Sequence, residues 1–247
     1  MLASPGLDHR SLIPYGQALE LERQLLRAMA QGDGQPRFAV WRTHQALIVP
    51  RGMPGRAHFE AASRNAQAAG WPVYERDTGG DLTPQSPGIV NLSLVFRIDD
   101  ARPSIADAYR RLTRPVIAFL KAQYGIDAAT SGVPGAFCDG AYNIAVAGRK
   151  LGGTAQRWRM LNAGNGDTIH GAGELKSAAV LAHVALMCTN SLGPAVGVLN
   201  AFYQDLAIDR HVEFDRHIIL AECVGARDAD AANVALALDR FLQTYPI

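Results

Sequence analysis

Two residues twelve positions apart, Cys138 and Lys150, are the groups in this chain best suited to covalent chemistry. Cys138 stands in Val133-Pro134-Gly135-Ala136-Phe137-Cys138-Asp139-Gly140-Ala141-Tyr142. A thiolate is a good acyl acceptor and a good leaving group, so such a cysteine can carry an acyl group as a thioester between two amines. Lys150 stands in Gly148-Arg149-Lys150-Leu151-Gly152-Gly153-Thr154-Ala155-Gln156-Arg157. An ammonium held there favours a neighbouring thiolate and stabilises charge developing on a carbonyl or phosphoryl oxygen. Both have plainer readings, since most lysines are solvated and most cysteines are inert core. The glycine- and proline-rich setting of Cys138 favours chemistry. Cys188, among the apolar residues of VLAHVALMCTN, reads as core, and Cys223, in IILAECVG, reads as strand interior.

A second glycine-rich stretch comes earlier: Arg76-Asp77-Thr78-Gly79-Gly80, with Gly88-Ile89-Val90-Asn91 following eight positions after Gly80. Paired glycines let backbone approach a ligand closely and turn amides toward an anion. An arginine just before them can hold a carboxylate or phosphate. Taken alone, the pair also fits a plain turn between strands.

These segments need a scaffold. Ala18, Leu21, Leu25 and Ala28 fall at helical spacing, with Gly32 and Gly34 stopping the helix. RFAVWRTHQALIVPRG reads as two short strands around a turn, and HFEAASRNAQAAG as a helix capped by Gly70. From 88 to 98, Val90, Leu92, Leu94, Phe96 and Ile98 alternate with Asn91, Ser93, Val95 and Arg97, the pattern of a half-buried strand. Ser104 and Asp107 open a helix to about Tyr124, which Pro115 should kink or split. Tyr142–Ala147, a turn at Gly148 and Lys150–Trp158 predict a hairpin; later helices are expected near 193–207 and 230–243. The expectation is a single α+β domain over 1–247, with a mixed, largely antiparallel sheet flanked by helices.

Composition narrows the function classes. A net charge of +1 without a basic block offers no electrostatic grip on nucleic acid or an anionic membrane. There is no apolar run long enough to span a bilayer, and the charged, proline-containing start is not a secretory signal. Three cysteines without ligand spacing fit a reduced, cytoplasmic setting. His44, His58, His183, His211 and His217 show no ligand spacing either, so no metal is expected.

Arg-x-Thr-Gly-Gly, then Gly-x-x-Asn, then Gly-Arg-Lys-x-x-Gly-x-Ala-Gln-Arg resembles the signature of the lipoate–protein ligases and lipoyl or octanoyl transferases. The resemblance runs from about Gln17 to Gly171 and fades afterwards. It implies a tunnel for a fatty acyl chain, with the Gly-Gly loop over the acyl or acyl-adenylate group and Lys150 beside the reactive carbonyl. Arg76, Thr78, Gly79, Gly80, Asn91, Asp139, Gly153, Thr154, Ala155 and His170 are then the expected substrate-binding residues. Pro-Gly-x-Phe-Cys-x-Gly-x-Tyr-Asn also resembles the cysteine loop of amidotransferases in that superfamily. These move lipoyl or octanoyl groups between carrier proteins, which implies the glycine-cleavage H protein and 2-oxoacid dehydrogenase E2 subunits as partners.

Two positions depart from the ligases. Asp81 replaces a third glycine, and an acid there would repel an adenylate phosphate; Gln85 replaces a histidine. The leading expectation is therefore acyl transfer through a Cys138 thioester, needing no cofactor. An ATP- and Mg²⁺-dependent ligase with Lys150 on the α-phosphate and Cys138 dispensable stays open, as does a non-catalytic binder of lipoylated partners.

Overall fold

The computed structural model describes residues 6–32, 34–100, 104–161, 176–189 and 192–246. Along the chain run α1 (Tyr15–Gln31), β1 (Arg37–Trp41), β2 (Ala46–Pro50), α2 (Phe59–Ala68), β3 (Val73–Arg76), β4 (Thr83–Gln85), β5 (Ile89–Asp100) and α3 (Ile105–Tyr124). Then come β6 (Ala129–Ser131), β7 (Asn143–Val146), β8 (Arg149–Leu161), β9 (Lys176–Met187), α4 (Leu192–Asp205), α5 (Leu220–Val224) and α6 (Ala231–Thr244). Six strands form one antiparallel sheet in the order β1-β5-β9-β8-β7-β6, and β3-β2-β4 form a small mixed sheet. The fold is α+β.

Side chains alternate across a strand, so the large sheet has two distinct faces. One carries Val90, Leu92, Leu94, Phe96, Val180, Ala182, Val184 and Leu186 against Leu112, Val116 and Phe119 of α3 and Val234, Leu238 and Leu242 of α6. Truncating one of these leucines to alanine costs about 2–5 kcal/mol through lost transfer energy and the cavity left behind. The opposite face carries Asn91, Ser93, Val95, His183, Ala185 and Met187 and lies toward α1 and the small sheet. This second cover corrects the half-buried expectation for β5: Asn91, Ser93 and Val95 are buried too.

Other differences have equally local causes. The two strands of RFAVWRTHQALIVPRG do not pair with each other; β1 joins the large sheet and β2 the small one. α1 buries Tyr15, Ala18, Leu19, Glu22, Leu26 and Met29 rather than the face through Leu21 and Leu25, and Ala28 is exposed. A glutamate in the middle of the buried stripe displaced the apparent apolar face. α3 is not split at Pro115, because residues on both sides of it pack on the same sheet face. Cys223 lies in α5, not in a strand, and Glu222 accepts from the Ile219 amide at 3.2 Å as that helix begins. The β7–β8 hairpin turns through Ala147 (φ 49°) and Gly148 (φ 76°) as expected. No helix among the described residues is long and apolar enough to cross a membrane.

Candidate active site

Cys138 sits between β6 and β7 with φ 45°, a left-handed conformation that a non-glycine residue adopts only when its surroundings enforce it. Several elements do so. Asn143 Nδ2, at the start of β7, donates to the Cys138 carbonyl at 2.9 Å. Lys150 Nζ donates to the same carbonyl at 2.9 Å and to the Phe137 carbonyl, and lies 4.3 Å from the Phe137 ring centroid. The Phe137 amide donates to His217 Nε2 at 3.1 Å, and the two rings stack with centroids 4.5 Å apart. The Glu213 amide reaches the Gly135 carbonyl at 2.8 Å.

Lys150 is fully buried, and burial pulls its pKa down to about 8, with its electrostatic interaction with Cys138 opposing that pull. Its neighbour Gly153 leaves it room: a Cβ there would lie 3.2 Å from Nζ, tighter than most such contacts. His217 is pulled down to about 4, first by burial and then by the charge of Lys150. It is therefore neutral near pH 7, with Nε2 free to accept from Phe137.

The Gly79-Gly80 loop covers the thiol. The Asp81 amide donates to Cys138 Sγ at 3.3 Å. Gly80 has φ 103°, and a Cβ on it would come 2.9 Å from Sγ and 2.7 Å from Arg76 Nη2, so only glycine fits. Arg76 is buried and fastens this loop, donating to Thr83 Oγ1 at 2.9 Å and to the Asp81 carbonyl at 2.7 Å. Arg210 closes the outside of the cradle, pairing with the Asp81 carboxylate and, at 3.3 Å, with Asp139.

Inward from the thiol runs a slot lined by Arg76, Asn91, Phe137, Cys138, Gly153, Thr154, Ala155, His183, Ala185 and Met187, with Tyr15 and Trp41. Six of the expected site residues thus meet in one cavity. Thr78 adjoins it through His183 Nε2 at 3.4 Å; Gly79 is exposed, and exposed Asp139 faces Arg210. Lys150 stands behind the cysteine loop. His170 lies outside the described residues. Gln85, the departure from the family histidine, exchanges two hydrogen bonds with Asn91 at 2.8 and 3.1 Å.

Sequence reading missed Asn143, His217 and Arg210. The last two come from the 210–217 segment, where no motif or resemblance extended. Lone His and Arg residues in an irregular stretch carry no periodic signal.

The lipoyl protein ligase A/B catalytic domain family matches residues 14–213. The chain belongs to this family. An uncharacterized protein from Cupriavidus necator is 35% identical over 231 residues, covering 90% of this chain and 88% of that one. An octanoyl-GcvH:protein N-octanoyltransferase from Kyrpidia tusciae is 31% identical over 229 residues, covering 90% of this chain and 76% of the relative. Among solved structures, a lipoate-protein ligase A bound with ATP superposes with a TM-score of 0.63 at 17% identity, covering 98% of this chain and 84% of that one. A putative lipoate protein ligase from T. acidophilum with bound lipoic acid superposes with a TM-score of 0.59 at 18% identity, covering 98% and 85%. As a lipoyl protein ligase A/B family member, the chain is an enzyme of lipoyl or octanoyl transfer. Its Gly-Gly loop and lysine hairpin come together at Cys138.

Proposed function

We propose that this protein is an acyltransferase that moves a lipoyl or octanoyl group between lysines of carrier proteins through a Cys138 thioester. The observation that carries this reading is the cradle of the sulfur: a strained cysteine, a donor amide on Sγ, a glycine pressed against it and a buried ammonium behind its loop. In the first half-reaction Sγ attacks the acyl carbonyl, the carbon–nitrogen bond breaks, and the thiol proton leaves with the donor lysine amine. In the second, an acceptor lysine amine attacks the thioester, the carbon–sulfur bond breaks, and the amine proton restores the thiol. The Asp81 amide, already at the sulfur, is the nearest donor to the oxyanion of either step. The positive charge of Lys150 favours the thiolate while its bonds to the Phe137 and Cys138 carbonyls hold the loop.

The carrier partners in this reading are lipoyl-type domains: the glycine-cleavage H protein, supported by the Kyrpidia tusciae relative, and 2-oxoacid dehydrogenase E2 subunits. The transfer needs neither nucleotide nor metal. Asp81 weighs less against ATP than its sequence position suggests, because Arg210 neutralises it. The cysteine is what separates the transferase from a ligase.

Intact-protein mass spectrometry after mixing the chain with an octanoylated H-protein, without ATP, tests this. A hydroxylamine-sensitive acyl adduct on the wild type, absent from Cys138→Ala, is the expected result. Acceptor modification that appears only with free lipoate, ATP and Mg²⁺, and survives Cys138→Ala, would replace the transferase by a ligase.

A further inference from the structure

The register of the large sheet fixes the direction of the slot. Gly153 pairs with Ala185, Ala185 with Asn91, and Asn91 with Trp41, so these four residues form one row across β8, β9, β5 and β1. Cys138 stands at the Gly153 end, since Lys150 Nζ bonds its carbonyl and lies 3.2 Å from a Cβ built on Gly153. Three strand spacings of about 4.8 Å put Trp41 roughly 14 Å from that end. An extended eight-carbon acyl chain advances about 1.3 Å per carbon, some 9 Å from carbonyl to tail. With its carbonyl at the sulfur, its last carbons would reach past Ala185 to Asn91, with His183 in the neighbouring row and Trp41 on the next strand beyond.

Ile89, Pro84 and Met187 line the slot as well, but its far end is not purely aliphatic. Tyr15 and Trp41 meet edge to face, with centroids 6.1 Å apart. His183, in the next row, has Nδ1 3.0 Å from the buried carboxylate of Glu22 and Nε2 3.4 Å from the Thr78 hydroxyl. Glu22 also accepts from Ser93 Oγ at 2.6 Å, and Ser93 from Trp41 Nε1 at 2.9 Å, so a chain of hydrogen bonds holds both Trp41 and His183. A hydrocarbon tail gains only area against such a wall. A dithiolane adds two polarisable sulfurs that make favourable contacts with aromatic rings and accept weak hydrogen bonds.

We propose that Tyr15, Trp41 and His183 form a tail-recognition wall that selects lipoyl over octanoyl groups. The inference rests on the thioester reading and names its substrate class. The wall lies at the far end of the slot from the sulfur, so it sets selectivity without taking part in bond making.

The test uses small thioester donors, the N-acetylcysteamine esters of lipoate, octanoate and butanoate, with intact-protein mass spectrometry as the readout. In loading, the carbon–sulfur bond to Cys138 forms, that of the donor breaks, and the cysteine proton leaves on N-acetylcysteamine. For the wild type and for Tyr15→Leu and His183→Leu, each rate is divided by the butanoyl rate of the same protein, which normalises for loss of folded enzyme. Wild type is expected to load lipoyl at least fivefold faster than octanoyl, and each variant to lose most of that ratio. His183→Gln, which keeps a polar partner for Glu22, is expected to retain more of it than His183→Leu. Equal or faster octanoyl loading by the wild type, or a ratio unchanged in both leucine variants, overturns the selectivity and leaves the transferase standing. No adduct from any donor on the wild type overturns the thioester reading, and this inference with it.

Discussion

The amide nitrogen of Asp81 lies 3.3 Å from the sulfur of Cys138, so two loops 57 residues apart in sequence meet at one atom. The contact depends on Gly80. Its φ of 103° suits few side chains, and any Cβ would press on both Cys138 Sγ and Arg76 Nη2. Gly80→Ala is expected to push the loop off the sulfur. Acyl loading of Cys138 should fall by about 10²-fold or more, as when a preorganised donor is removed. Stability should change less, because Gly79 and Gly80 are exposed. A variant that loads within threefold of wild type would show that the donor amide contributes nothing.

The three thiols should separate under native conditions. Burial pushes Cys188 up to about 12 and also raises Cys223, so both are held as unreactive thiols at neutral pH. Peptide mapping after a short exposure to iodoacetamide at pH 7.5 is expected to find the label on Cys138 first. A prior load of acyl group on the enzyme should block that label and leave any slow labelling of Cys223 unchanged. Labelling of Cys188 at a comparable rate would contradict the burial.

The scaffold and the site were legible to different degrees. β5, α3, α4, α6 and the β7–β8 hairpin were readable because each has a strong period, a cap or a turn residue. The residues near the motifs stood out through the family resemblance rather than through their types, and six of them line one cavity. What escaped was decided by tertiary contact. Glu22 reads as a surface charge on α1 but is buried, because His183 and Ser93 supply partners that no local pattern reveals. His217 and Arg210 secure the cysteine loop from more than 70 residues away. The IILAECVG stretch, too short for its period to choose between strand and helix, was assigned the wrong one.

Lys150→Met separates the chemical role of the ammonium from its cost. Removing the charge deprives the Phe137 and Cys138 carbonyls of a donor, although Asn143 still serves the latter. Acyl loading is expected to drop by about 10²–10³-fold. Stability should respond to pH in the opposite sense to an ordinary surface lysine. The folded pKa of about 8 lies below the ordinary lysine value of 10.5, so between those values the unfolded chain binds more protons than the folded one. Wild-type stability should therefore gain up to about 3 kcal/mol from this group as pH rises from 8 to 10.5. Urea melts across that range should show the gain in the wild type and lack it in Lys150→Met.

His217 imposes a second, acidic dependence on the same loop. Its folded pKa of about 4 lies below the ordinary histidine value of 6.5, so between these values the unfolded chain again takes up the proton first. Here the contribution is complete above 6.5 and is lost as pH falls toward 4. From pH 7 to pH 5 that loss amounts to about 2 kcal/mol. Protonation would also place a hydrogen on Nε2, where the Phe137 amide now donates at 3.1 Å, and would set a second positive charge beside Lys150. His217→Gln keeps an acceptor for that amide while removing the titration. Urea melts at pH 5 and pH 7 should therefore differ by about 2 kcal/mol less in the variant than in the wild type. Acyl loading at pH 7 should survive better in His217→Gln than in His217→Leu, which leaves the Phe137 amide unpaired. Equal loading by the two variants would mean that this hydrogen bond does not position Cys138.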